Sequence, residues 1–143
     1  MILVDVNVLI YAFRQDAEHH NDYREWLLGI LNSSSQFGVS EMVLSSFIRI
    51  CTHPKIFKNP STLDEVFSFT DTIQNLPHCT IISPQERHWE IFRNLCKENN
   101  TKGNLITDAY LAALAIEWGC EWISTDRDFA RFKELNWRHP LQE

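Results

Sequence analysis

Ala109-Tyr110-Leu111-Ala112-Ala113-Leu114-Ala115 leads to Gly119, and Glu121-Trp122-Ile123-Ser124 follows almost at once. The first run is Ala-rich and apolar, and it predicts a helix over about 106–118 with Gly119 just past its end, where glycine is favoured. The second predicts a short buried strand. A helix passing straight into a strand is the repeating unit of an α/β protein, and the same alternation extends outward in both directions. Residues 2–5 read as a strand, 7–14 as a helix, and 18–32 as an amphipathic helix with Tyr23, Trp26, Leu27, Ile30 and Leu31 at helical spacing. A strand near 36–39 precedes a helix from Glu41 to about Thr52, which Pro54 stops. Ser61, with Asp64 three residues on, reads as the cap of a helix running to about Asn75, and Pro77 ends it. Cys79-Thr80-Ile81-Ile82 is a third strand. Ser83-Pro84 reads as cap and first-turn proline of a helix over about 84–98. A short helical turn at 128–132 and a fifth strand near 136–138 complete the chain. Parallel neighbours need crossover connections, so this order predicts an α/β sandwich around a mainly parallel sheet of four to five strands.

Length and composition narrow the class. The 143 residues suit one domain, 1–143, without repeats or linkers. With 44% hydrophobic and 22% charged residues the chain is of the folded, not the disordered, type. No apolar stretch approaches the roughly 20 residues of a membrane helix, and Asp5 interrupts any signal peptide. A cytoplasmic protein is expected. Cys51, Cys79, Cys96 and Cys120 are scattered without a C-x-x-C pair, so reduced, buried thiols are expected, and zinc is not. The formal charge of −6 argues against a nucleic-acid ligand only until cations are counted. Two divalent ions held by four acids would bring it to about −2.

Four acids stand where ordinary folding explains them poorly. Asp5 ends Ile2-Leu3-Val4, Glu41 follows Phe37-Gly38-Val39-Ser40, Asp126 closes Trp122-Ile123-Ser124-Thr125, and Asp108 opens the Ala-rich helix. Singly, each has an ordinary role as a helix cap or a first-turn acid. Jointly, three fall at the carboxyl ends of strands, where parallel sheets bind ligands. Like charges about 4 Å apart repel by about 4 kcal/mol at an effective dielectric of 20. A cluster of this kind calls for a hard divalent cation, Mg²⁺ or Mn²⁺, and for chemistry at phosphate. No G-x-S-x-G and no histidine near these strand ends offers a nucleophilic alternative.

Asp5-Val6-Asn7 after a first strand, Thr107-Asp108-Ala109 opening a helix, and Ser124-Thr125-Asp126-Arg127-Asp128-Phe129 resemble the signatures of PIN-domain nucleases. Arg49-Ile50-Cys51-Thr52-His53-Pro54, Gly103-Asn104-Leu105 and Asn136-Trp137-Arg138-His139-Pro140-Leu141 further resemble one subgroup of VapC toxins from type II toxin–antitoxin systems. The resemblance spans essentially the whole chain. It implies a three-layer α/β/α sandwich and an Mg²⁺- or Mn²⁺-dependent endoribonuclease acting on structured RNA such as tRNA or rRNA. It also implies a homodimer and a VapB-type antitoxin partner. By position, Asp5 and Asp108 match the family's principal metal ligands, Asp126 matches its fourth acid, and Asn7 and Thr125 match supporting polar residues. The second acid of many PIN proteins falls in a register near Ser46, and Glu41, the only acid nearby and about five residues earlier, is expected to fill that role from the sheet's carboxyl edge. Asp126-x-Asp128 leaves either aspartate able to face the site, and Asp128 also suits a helix cap. Among Arg14, Arg49, Lys55, Lys58, Lys102, Arg127 and Arg131, the residues beside the expected ligands, Arg49 and Arg127, are the first candidates for RNA contact.

Two other readings compete. One keeps the fold but not the turnover: a module whose acidic pocket takes up a metal or a basic peptide. The other is a phosphotransfer domain, but Asn7 stands where a phosphatase of the haloacid-dehalogenase type needs a second aspartate. A receiver, in turn, needs an acid after Cys79-Thr80-Ile81-Ile82 that is missing.

Overall fold

The computed structural model describes residues 1–142. Its elements run β1 (Ile2–Val4), α1 (Val6–Phe13), α2 (His20–Asn32), β2 (Phe37–Val39), α3 (Glu41–Cys51), α4 (Leu63–Gln74), β3 (Cys79–Ile81), α5 (His88–Asn99), α6 (Asn104–Trp118), β4 (Glu121–Ile123), a 3-10 turn (Arg127–Arg131) and β5 (Trp137–Arg138). The five strands form one all-parallel sheet in the order β3-β2-β1-β4-β5. Helices α1 to α4 pack on one another, and α5 packs on α6, giving the three-layer α/β/α sandwich.

That strand order fixes where a ligand belongs. From β1 the chain builds outward through β2 to β3, then returns to place β4 on the other side of β1. The reversal opens a crevice between the carboxyl ends of β1 and β4, the usual ligand position in open α/β sheets. Asp5 leaves β1 there, with its N–H bonded to Ile123 O of β4 at 2.8 Å.

Burial explains why such short strands hold. Leu3, Val4, Phe37, Val39, Trp122 and Ile123 are all buried, the double-faced burial typical of parallel sheets. Helix α6 buries Ala109, Leu111, Ala112, Ala113, Leu114 and Ala115, so it is covered nearly all round. Phe13, Phe47 and Phe69 tie α1, α3 and α4 together at centroid distances of 4.9–5.2 Å. Gly38 sits mid-strand because a Cβ there would lie 2.6 Å from Ile82 Cγ1 and 3.3 Å from Ile2 O. Gly38→Ala is therefore expected to destabilise the protein by about 1–3 kcal/mol. In urea unfolding this appears as a lower midpoint with an unchanged slope, and an unmoved midpoint would show that the strand has room.

Two expected helix starts are displaced. Thr62, not Ser61, caps α4, and its partner is Glu65: Glu65 N–H donates to Thr62 Oγ1 at 3.2 Å while Thr62 N–H donates to Glu65 Oε1 at 3.1 Å. Helix α5 starts at His88, and Ser83-Pro84 stays outside it. Tertiary bonds win there: Glu117 of α6 accepts the N–H groups of Gln85 and Arg87, each at 2.8 Å, and Trp118 Nε1 donates to Ser83 O at 2.8 Å. The Gly119 expectation holds, with φ at +67°. No helix among the described residues is long and apolar enough to cross a membrane, and all four cysteines are free thiols, Cys51 and Cys120 buried as expected but Cys79 and Cys96 only half-buried.

Candidate active site

Strand β1 ends at Val4 because Asp5 turns the chain into α1: its Oδ1 accepts the Val6 N–H at 2.7 Å and caps that helix. Strand β4 ends similarly. Asp126 Oδ1 accepts the Asp128 N–H at 2.9 Å and caps the 3-10 turn. Capping and site-building are thus not alternatives here, because the same carboxylates serve both. The cap expected of Asp128 belongs to Asp126. Asp128 is exposed and lies 3.9 Å from Arg131.

A cleft of about 250 Å³ opens at the β1–β4 crevice. It is lined by Asp5, Asn7, Thr107, Asp108 and Asp126, and from α3 by Met42, Val43, Ser46, Arg49 and Ile50. Asp5, Asp108 and Asp126 therefore meet although 121 residues separate the first from the last. Asp5 is only 4% exposed. Burial pushes its carboxyl from 3.8 up to about 6, with Asp108 and Asp126 adding to the rise and the Ser124 and Val6 hydrogen bonds opposing it. Burial also raises Asp108, with Asp126 and Asp128 contributing and Arg131 opposing. Mutual repulsion at a shared site is the electrostatic mark of a cation-binding cluster.

The residue that organises this cluster is Ser124, which is fully buried. Its hydroxyl donates to Asp5 Oδ2 at 2.6 Å and accepts the Asp126 N–H at 3.0 Å and Asn7 Nδ2 at 3.4 Å, which uses its whole capacity. Asn7 and Thr125 are expected in supporting roles. Asn7 has one, and its Oδ1 also accepts the Thr125 N–H at 3.4 Å, but Thr125 contributes backbone. Ser124 was detectable as the one hydroxyl at the buried end of β4, since a buried donor must find an acceptor. Ser124→Ala should raise the Asp5 carboxyl further and cost about 1–3 kcal/mol of stability. Thermal melts read the second effect, and a shift of the activity profile to higher pH reads the first. Ser124→Thr keeps the hydroxyl and should restore the pH profile, and an unchanged profile in Ser124→Ala would end this role.

Glu41 is not brought to the cleft. At 100° per residue it lies about 140° around α3 from Ser46. It lines a different groove, with Leu44, Ser45 and Ile48 of α3 and Phe67, Thr70, Asp71 and Gln74 of α4. Arg49 does line the cleft and makes no salt bridge among the described residues. Arg127 instead donates to Gln142 Oε1 at 2.6 Å. A larger cleft, about 430 Å³, surrounds Arg14. That guanidinium is already bound by Asp16, Asn59 O and Ser61 and lies 4.0 Å over the Phe57 ring, so its charge is paired with Asp16 and most of its donors are engaged within the fold.

The donor set fits a hard divalent cation in kind: three carboxylates, of which Asp108 has no hydrogen-bond partner among the described side chains and Asp126 keeps Oδ2 unbonded. Among the described residues no group of three or more His, Cys, Asp or Glu side chains is set tightly enough to hold an ion alone. Water or phosphate oxygens would complete the shell, which is the habit of Mg²⁺.

Comparison with known proteins gives the family and agrees with the fold. Residues 2–135 match the PIN domain family. The chain is 43% identical over 141 residues to VapC ribonuclease Mb2897 of Mycobacterium bovis, covering 99% of this chain and 96% of that one. Among solved structures, VapBC2 from Rickettsia felis, bound to a DNA fragment from its promoter, superposes with a TM-score of 0.69 at 19% identity over 97% of this chain and 98% of that one. Mycobacterium tuberculosis VapC20, described as a sarcin-ricin loop cleaving toxin, gives 0.64 at 11% identity, covering 91% and 93%. At such identities the structural matches speak for the fold.

Proposed function

The chain belongs to the PIN-domain family and within it to the VapC ribonucleases, and on that premise we propose an endoribonuclease toxin that depends on Mg²⁺ or Mn²⁺ and is neutralised by a VapB-type antitoxin. The observation that carries this reading is the convergence of Asp5, Asp108 and Asp126 in one cleft at the sheet's carboxyl edge. A binding module without turnover is not favoured, because the relative at 43% identity over 141 residues is a ribonuclease. The solved neighbours include toxin–antitoxin complexes, among them VapBC-1 of Haemophilus influenzae, which supports an antitoxin partner. A homodimer is part of the proposal. A cytoplasmic site of action is proposed with it.

In the mechanism, Asp5, Asp108 and Asp126 would hold the cation. When bound, a divalent ion in such a site lowers the pKa of a water nucleophile and offsets charge on the phosphate. Ser124 and the Val6 N–H fix both oxygens of Asp5, so that carboxylate needs no reorganisation when substrate arrives. Arg49, which lines the cleft from the exposed face of α3, would meet an RNA phosphate. The exposed rim leaves the cleft open to an RNA loop. The direct test is cleavage of total RNA by the purified chain with Mg²⁺ or Mn²⁺ against EDTA, with fresh 5′ ends mapped across transcripts. Metal-dependent cuts at discrete sites are expected. Cleavage indifferent to EDTA would remove the metal, and no cuts at all would remove the nuclease.

A further inference from the structure

The α3 wall of the cleft carries an unusual pair of side chains for a carboxylate site. It presents Ser46 and Arg49, and no acid. The one acid of α3, Glu41, lies on the far side of the helix, in the groove shared with α4. Arg49 makes no salt bridge among the described residues. Arg131, which is not part of the cleft lining, is already engaged, with its Nη2 3.9 Å from Asp128 Oδ1 and its Nε donating to Asp128 O at 3.1 Å. Arg49 is thus the cleft's uncommitted cation.

Resting on the nuclease reading above, we propose that this chain loads a single divalent cation, and that Arg49 contacts the substrate phosphate from the wall where a second cation would otherwise be anchored. The charge balance favours one ion. Three aspartates and one divalent cation leave a single negative charge, which Arg49 offsets. A second cation would add two positive charges on a side that offers only a hydroxyl and a guanidinium, and hard cations are held there by carboxylates or carbonyls. Oxygen supply points the same way. Asp5 already shares both oxygens, with Val6 N–H and with Ser124, and Asp126 shares one with Asp128 N–H. The remaining lone pairs suit one partly hydrated ion.

The test is a count of bound ions. The intact protein is titrated with Mn²⁺ and the free ion is followed by electron paramagnetic resonance, alone and with uridine 5′-monophosphate supplying phosphate oxygens. One Mn²⁺ per chain is expected in both conditions. Two per chain would overturn the single-ion inference and leave the nuclease reading intact, whereas no binding would overturn both. Ser46→Glu, checked for its fold by circular dichroism, should raise the count to two, and a count still at one would overturn the assignment of this wall. Arg49→Gln should keep one Mn²⁺ but weaken nucleotide binding about tenfold, the worth of one charge-assisted contact. Unchanged nucleotide affinity would end the role given to Arg49.

Discussion

Asp108→Asn is expected to lower RNA cleavage at least about a thousandfold while leaving the protein folded. A thousandfold is about 4 kcal/mol of transition-state stabilisation, within what a metal ion and its activated water provide. Asp108 gives the cleanest separation of charge from structure. It caps no helix and accepts no hydrogen bond from a described side chain, unlike Asp5 and Asp126, which both cap. Burial and the neighbouring Asp126 and Asp128 hold its carboxyl above the usual range, so neutralising it relieves repulsion. Unfolding free energy should therefore stay level or rise at neutral pH. Glu41→Gln is the matched control: it removes a carboxylate from the opposite groove, and cleavage should stay within about threefold of the parent, as for most surface changes. Full activity in Asp108→Asn would end the nuclease proposal. A collapse in Glu41→Gln would return that residue to the site.

These two residues also mark what the sequence makes legible. Asp5, Asp108 and Asp126 stand out only jointly, since each alone could serve a helix start, and all three line the cleft, Asp108 from a full turn inside α6 and not from its first turn. Glu41 stood out for the same reason, yet proximity in sequence is not proximity on a helix. The core face of α3, Val43, Leu44, Phe47 and Cys51, orients the helix, and that orientation sends Ser46 and Arg49 to the cleft and Glu41 away. Alternating patterns were enough to place helices and strands. They carried no information on strand order, since β1 and β4 become neighbours through contacts about 120 residues apart. Ser124 shows itself as a buried hydroxyl, but its acceptor does not, because Asp5 lies across that same long-range pairing. The start of α5 escaped because Glu117 and Trp118, some thirty residues downstream, hold the segment around Gln85 outside the helix.

Between about pH 4 and pH 6, the metal-free protein should lose roughly 3 kcal/mol of stability relative to Asp5→Asn as pH rises. The sign follows from the direction of the shift. Asp5 is raised from 3.8 to about 6 by burial, so the folded state holds this proton more tightly than the unfolded chain. Below about pH 4 both states are protonated and nothing is lost. As pH rises through the window the unfolded chain ionises first, and above about 6 the folded protein carries the whole penalty of a buried, repelled carboxylate. Asp16 and Glu65 are shifted the other way, Asp16 by Arg14 and Glu65 by Thr62, and they favour the fold at higher pH. They act alike in both proteins, so the difference between two profiles isolates Asp5. Asn at this position adds a constant offset, because whichever way the amide turns, one N–H faces a donor, either Val6 N–H or the Ser124 hydroxyl. That offset does not vary with pH and leaves the slope intact. Urea unfolding in EDTA from pH 4 to pH 8 measures both curves. Adding Mn²⁺ to the parent protein should flatten its curve at the upper end, since a cation favours the ionised carboxylate that burial disfavours. Parallel curves in EDTA would mean that Asp5 ionises as freely in the fold as in the unfolded chain, and the electrostatic strain that calls for a cation would not exist.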